Sequence, residues 1–263
     1  MSRRLIPDTE ARLLLLLTLR TLGPASGAQL NAFLTEYDLM GYFDLQLKLG
    51  ELTDQLQVTA LPHPLGPLYQ LTDEGLFVVN SYARRIPQSR RELIEREAPA
   101  WAERFRLEQQ APAGTRMLPG RRLMLELRLM SGRNAEILLI RLTLASPTTG
   151  AGLQERWQAA AAEVYAEIMQ ALSGDASEEG GSSPEAEARL DPQPDGRTLL
   201  ILTAGGEAPG VDITLSLREE GLARSYAARW PFCAKRVKAL LARELSLTEK
   251  PGQPASAEAP AGS

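Results

Sequence analysis

The chain is poor in the side chains on which most site chemistry depends, with one cysteine and one histidine in 263 residues. A structural zinc site draws three or four ligands from Cys, His and carboxylates at set spacings, so no metal site is expected. Cys233 has no partner for an internal disulfide, which points to a reducing, cytoplasmic setting. It follows Phe232 beside an apolar helical stripe and reads as a buried, inert thiol. His63 lies in Pro62-His63-Pro64, with no serine nucleophile motif and no second histidine to form a catalytic pair. No GxGxxG or GxxxxGK[ST] run is present, so Gly150-Ala151-Gly152 and Gly205-Gly206 read as turns and no cofactor is expected. These absences argue against an enzyme.

Two further features are missing. The chain has no basic excess: 29 Lys and Arg stand against 33 Asp and Glu, a net charge of −4. Long apolar runs are also absent. Leu13 to Leu17 is too short to cross a bilayer, and Asp8 and Glu10 sit where a secretory leader would be basic. The run is read as a buried first helix, and no membrane partner is expected.

Against these absences, 44% of the residues are apolar, enough for a core in each of two domains. Composition breaks at Gly174–Gly196 and again from Thr248, stretches rich in small, acidic and proline residues that read as a disordered linker and tail. A milder break at Gln109–Gly120 marks a domain boundary.

Before that break the pattern is mostly helical. A first helix over Leu13–Leu19 ends at Gly23-Pro24, and a second starts at an N-cap on Ser26. A third, capped by Asp44, turns Leu45, Leu49 and Leu52 inward. Val58–Leu61 and Leu68–Leu71 form a hairpin around a proline-rich loop. Thr72 caps a helix carrying Leu76, Val79, Ala83 and Ile86 near one face, stopped at Pro87. Ser89 starts another, bent or interrupted at Pro99. This is the chain order of a winged helix-turn-helix over 1–87, with a connecting helix at 88–110.

The C-terminal half repeats itself. At an offset of 73, residues 127–173 lie over 200–246 with fourteen of 47 pairs identical, against roughly four expected by chance. Trp157 matches Trp230, Ile140 matches Ile213, and Leu127 matches Leu200. Each copy, 121–173 and 197–247, reads as strand, strand, helix. The expected fold class is α+β: a winged helix followed by a two-layer half of up to four strands under two helices, with a pseudo-two-fold inside the chain.

Several stretches carry a resemblance. Leu39-Met40-Gly41-Tyr42-Phe43-Asp44-Leu45-Gln46, Leu49-Gly50-Glu51-Leu52, Tyr69-Gln70-Leu71-Thr72-Asp73-Glu74-Gly75 and Arg85-Ile86-Pro87-Gln88-Ser89 resemble the bacterial winged-helix proteins of domain-of-unknown-function family 4364. The strand, strand and Trp157 helix fit the same pattern, and the resemblance covers residues 5–173. It implies a transcriptional regulator by analogy of fold. The second copy extends past it.

A third helix in the major groove would offer Gln46, Leu47 and Lys48 to base edges, with Tyr42 and Asp44 at its entry. His63 is the only titratable cation of a wing that has no Lys or Arg between Thr59 and Tyr69. Arg84, Arg85, Arg90 and Arg91 could clamp phosphates, or could be a solvated helix end favoured by the helix dipole. Residues 1–95 hold nine basic and eleven acidic side chains, a poor charge for duplex DNA. Two functions are therefore expected as alternatives. One is a regulator that binds double-stranded DNA, as a homodimer, with the duplicated half dimerising or sensing a small-molecule effector. The other is a protein-interaction module whose winged helix has lost DNA binding. If the two copies pair within one chain, the protein instead presents a single winged helix.

Overall fold

The computed structural model describes residues 7–132, 134–144, 152–174, 182–205 and 210–245. The expected tail from Thr248 and the centre of the expected linker, 175–181, lie outside them. The chain divides into two compact units, Met1–Pro112 and Ala113–Ser263.

The first unit is built around α1 (Asp8–Leu22), whose residues Leu13 to Leu17 are all buried. A helix apolar on every side belongs at the centre of its unit, and this one does. Ser26 accepts from the Gln29 backbone while the Gln29 side chain returns to Ser26, a complete capping box that starts α2 (Gly27–Glu36). α3 (Tyr42–Asp54) begins after Gly41, so Asp44 is in its first turn rather than at its cap. Asp44 therefore acts on the helix dipole without closing the chain end.

Strands β2 (Val58–Leu61) and β3 (Leu68–Leu71) pair antiparallel, and β1 (Ala25–Ser26) adds a short third strand beside β3. Thr72 caps α4 (Asp73–Tyr82) through the Gly75 N–H. Leu76 is exposed on α4, contrary to the inward face expected for it, and Val79 is the buried anchor. A 3-10 turn at Ala83–Arg85 then leads into α5 (Gln88–Gln110), which runs through Pro99 as one element. α5 is not a free connector. Ile94, Ala98 and Phe105 lie in the same core as α1, and Gln109 donates to Pro24 O (2.9 Å) and Gln29 Oε1 (3.0 Å).

The second unit has one six-stranded antiparallel sheet in the order β4-β5-β6-β9-β8-β7. Its strands are β4 (Ala113–Met117), β5 (Leu123–Met130), β6 (Glu136–Leu144), β7 (Ala186–Pro192), β8 (Thr198–Ala204) and β9 (Gly210–Leu217). Helices α6 (Leu153–Ser173) and α7 (Glu220–Glu244) supply buried stripes headed by Trp157 and Trp230. Each copy is thus three strands and a helix. The division between the units, after Pro112, falls inside the stretch read as a boundary, but β4 follows it at once, and β7 lies inside the stretch read as a disordered linker. Both outer strands have mostly exposed residues, so they lack the apolar alternation that marks a strand in sequence.

Ile140 faces Ile213 across the β6–β9 pair, and Leu142 faces Val211 as Leu138 faces Leu215, so the pseudo-two-fold passes between the two isoleucines. The offset of 73 holds for β6 and β9 and for both helices. It does not hold for the flanking strands: Leu125 faces Leu142 while Leu200 faces Leu215, which makes the equivalent of Leu200 Leu125 and not Leu127. A shift of two residues keeps every side chain on its own face of the sheet, so the apolar pattern is blind to it.

Candidate functional site

The residues expected to meet a ligand macromolecule cluster on α3 and its surroundings. Buried Leu45, Leu49 and Leu52 fix one face of α3 against the core. The opposite face consists of Tyr42 (55% exposed), Phe43 (86%), Gln46 and Leu47 (58%), with Asp44 and Asp54 towards its two ends. Tyr42 and Phe43 lie edge to face with ring centroids 5.6 Å apart. Phe43 is the most exposed large apolar residue described in the protein, and sequence reasoning passed over it. Its signal was available: it falls off the spacing of Leu45, Leu49 and Leu52.

Lys48 does not share that face. It is 6% exposed, and its ammonium group donates to Asp8 of α1 and to both carboxylate oxygens of Glu51 (3.0 and 2.8 Å). These bonds, Asp8 first and then Glu51, hold its pKa above the ordinary lysine value. Arg12 completes the network, reaching Asp8 (3.0 Å) and Glu51 (2.9 Å). The only cation of α3 is therefore a packing element between α3 and α1, with no donor left for a phosphate. Its expected contact with guanine or phosphate does not fit this position.

His63 differs from expectation as well. The ring is half-buried, Nδ1 accepts from the Leu65 N–H (3.1 Å), and the proton on Nε2 is then donated to the Gln109 carbonyl (3.1 Å). Burial pushes its pKa down, with the Gln109 carbonyl opposing. The imidazole is a neutral tie from the β2–β3 loop to α5, not an exposed cation or base.

The four arginines around Pro87 do not act as one patch. Arg90 is paired with Glu10 (2.6 Å), and Nε of Arg91 is buried without a hydrogen-bond partner among the described residues. Arg84 and Arg85 are exposed on the 3-10 turn, where the Arg85 guanidinium stacks 4.9 Å from the centre of the Tyr82 ring. Arg85 and Tyr82 also line an open cleft of about 330 Å³ with Asp8, Arg12, Gln55 and Gln57. The cleft already has an internal ion pair between Asp8 and Arg12, so it presents no single charge to a ligand.

No group of three or more His, Cys, Asp or Glu residues suited to a metal ion occurs among the described residues. None of the described helices is long and apolar enough to cross a membrane. Burial raises the pKa of Cys233, whose thiol donates to the Trp230 carbonyl at 3.6 Å. No curated protein and no solved structure matches the chain. A family of proteins sharing a domain of unknown function, DUF4364, matches residues 11–172, which is 162 of 263 residues and reaches from α1 almost to the end of α6. The chain belongs to this family.

Proposed function

We propose that the first unit is a winged helix that works as a protein-docking module, and that the chain is a binding protein rather than an enzyme or a reader of duplex DNA. The observation that carries this reading is the inversion of α3. Its one cation is turned inward and neutralised, while Tyr42, Phe43 and Leu47 are displayed to solvent. Duplex affinity rests chiefly on phosphate neutralisation, whereas exposed aromatic and aliphatic anchors are what a protein interface buries at its centre. Both nitrogens of the only histidine are engaged by backbone, which takes this imidazole out of acid–base chemistry.

A DNA-binding regulator is the second reading. It is favoured by the helix and strand order of this unit and by exposed Arg84 and Arg85. Fluorescence anisotropy against a random duplex pool at low and physiological salt separates the two. The docking module predicts no saturable binding at micromolar protein in low salt. Binding that weakens steeply with salt and is lost in Arg84→Ala/Arg85→Ala would establish the second reading instead. The companion measurement is affinity capture with wild-type protein and with Phe43→Asp/Leu47→Asp. A partner retained by the first and lost by the second is the expected result.

A further inference from the structure

The second copy poses a physical question about the first. The family match ends at residue 172, so the family's own span contains β4, β5, β6 and α6 and none of the second copy. In that span β4 would be one edge of the sheet and β6 the other. The two edges are unlike. β4 reads Ala-Gly-Thr-Arg-Met and is largely exposed, with a glycine and an arginine that discourage pairing. β6 reads Glu-Ile-Leu-Leu-Ile-Arg-Leu-Thr-Leu, and its register with β5 is regular from Leu123–Leu144 to Leu129–Leu138. Ile137, Leu138, Leu139 and Ile140 place apolar side chains on both faces of β6 in succession. Such a strand with a bare edge is a template for another chain.

In this protein that edge is filled. β9 pairs with β6 from Leu138–Leu215 to Thr143–Gly210, about an axis between Ile140 and Ile213. The outermost strand beyond it, β7, alternates Glu187, Arg189 and Asp191 and ends at Pro192, so the enlarged sheet again finishes in a charged, poorly pairing edge. The same helix–strand bond is repeated on both sides of the axis: Trp157 Nε1 donates to Arg128 O (2.9 Å) and Trp230 Nε1 to Thr203 O (2.7 Å). Across the helix layer, Ser173 Oγ and Tyr226 OH are 2.8 Å apart, and Arg243 reaches Glu167 at 3.3 Å. The β6–β9 register is reciprocal about the axis, as in an isologous interface in which one patch meets its own copy, whereas the two helix-layer contacts each occur once.

We propose that β6 is a dimerisation strand and that residues 186–245 are a covalently attached partner for it. The second copy occupies the place that a second chain would take, and the sheet unit is a single-chain counterpart of a two-fold dimer. The consequence concerns recognition. A dimer paired through β6 would present two α3 surfaces related by symmetry, whereas this chain presents one α3 for each completed six-stranded sheet. It engages its target one to one, without the paired half-sites that a symmetric dimer requires.

The test uses the full chain with Cys233→Ala as background. Arg141 and Asp212 are directly opposed on β6 and β9, and facing positions of an antiparallel pair lie within disulfide range. Arg141→Cys/Asp212→Cys, oxidised at low protein concentration, is expected to form an internal bond, leaving a 28.7 kDa monomer on a non-reducing gel with altered mobility. Leu139→Cys/Thr214→Cys, the neighbouring pair, repeats the measurement with different side chains. A covalent dimer in either variant would show that β6 pairs with the β9 of another molecule and would overturn the proposal. Absence of any bond in both folded variants would overturn it equally.

Discussion

At the scale of single residues, hydrogen-bond partners decide what the charged side chains can do. Lys48 and His63 are both cation candidates by type, and both are used internally, one by carboxylates and the other by backbone. His63 makes a pH-dependent contribution whose sign is fixed. Its folded-state pKa lies below the ordinary value of 6.5, so the unfolded chain takes up the proton first as pH falls. Stability is then lost from about pH 6.5 downwards, until the folded form also titrates. Asp8 and Glu97, whose pKa values are lowered by bonds from Lys48 and from Arg96 respectively, lose their contributions only further into the acid range. The melting temperature is expected to fall between pH 7.5 and 5.5 in the wild type and to fall less in His63→Gln. Equal slopes in the two proteins would mean that this imidazole is not the group being titrated.

At the scale of elements, the joint between α4 and the sheet offers a clean decision between two effects. A Cβ on Gly75 would come within 2.0 Å of the Gln57 carbonyl oxygen, which also accepts from the Thr72 N–H. Helix propensity alone would make Gly75→Ala stabilising by about 1 kcal/mol. Overpacking against a fixed backbone atom costs about 1–3 kcal/mol. The close approach should win, and urea denaturation of Gly75→Ala is expected to show a net loss of stability. A gain would mean that α4 is free to shift away from β2.

Legibility in the sequence also divides by element. Ser26 and Thr72 announce their helices because a short oxygen-bearing side chain before an apolar stripe has a direct structural use, and β2 and β3 lie where period and punctuation place them. β4 and β7 were hidden, since an outer strand whose side chains are mostly exposed shows little apolar alternation. The two-residue difference between the repeats was hidden by the pleat itself. On α3 the inward stripe was legible, and with it, by subtraction, the exposed Phe43 and Leu47. The inward turn of Lys48 was not, because it depends on Asp8, forty residues earlier in the chain, and on Glu51 one turn along.

At the scale of the whole molecule, the duplication joins two copies in one continuous six-stranded sheet, and the expectation is that they unfold together. The central pair of strands contains one from each copy, and Leu138, Ile140, Leu142, Val211, Ile213 and Leu215 are all buried along it. A defect at the axis therefore removes support from both sides at once. Replacing a buried isoleucine by a shorter, charged side chain costs about 3–5 kcal/mol or more, a large share of the stability of an ordinary domain. Ile213→Asp is expected to reduce amide-exchange protection in β5 and β6 of the first copy as much as in β8 and β9 of the second. The first unit, which has its own core around α1, should keep its protection under the same conditions. Loss confined to β7, β8, β9 and α7 would show instead that the first copy holds its fold without the second, and that the β6 edge tolerates being bare.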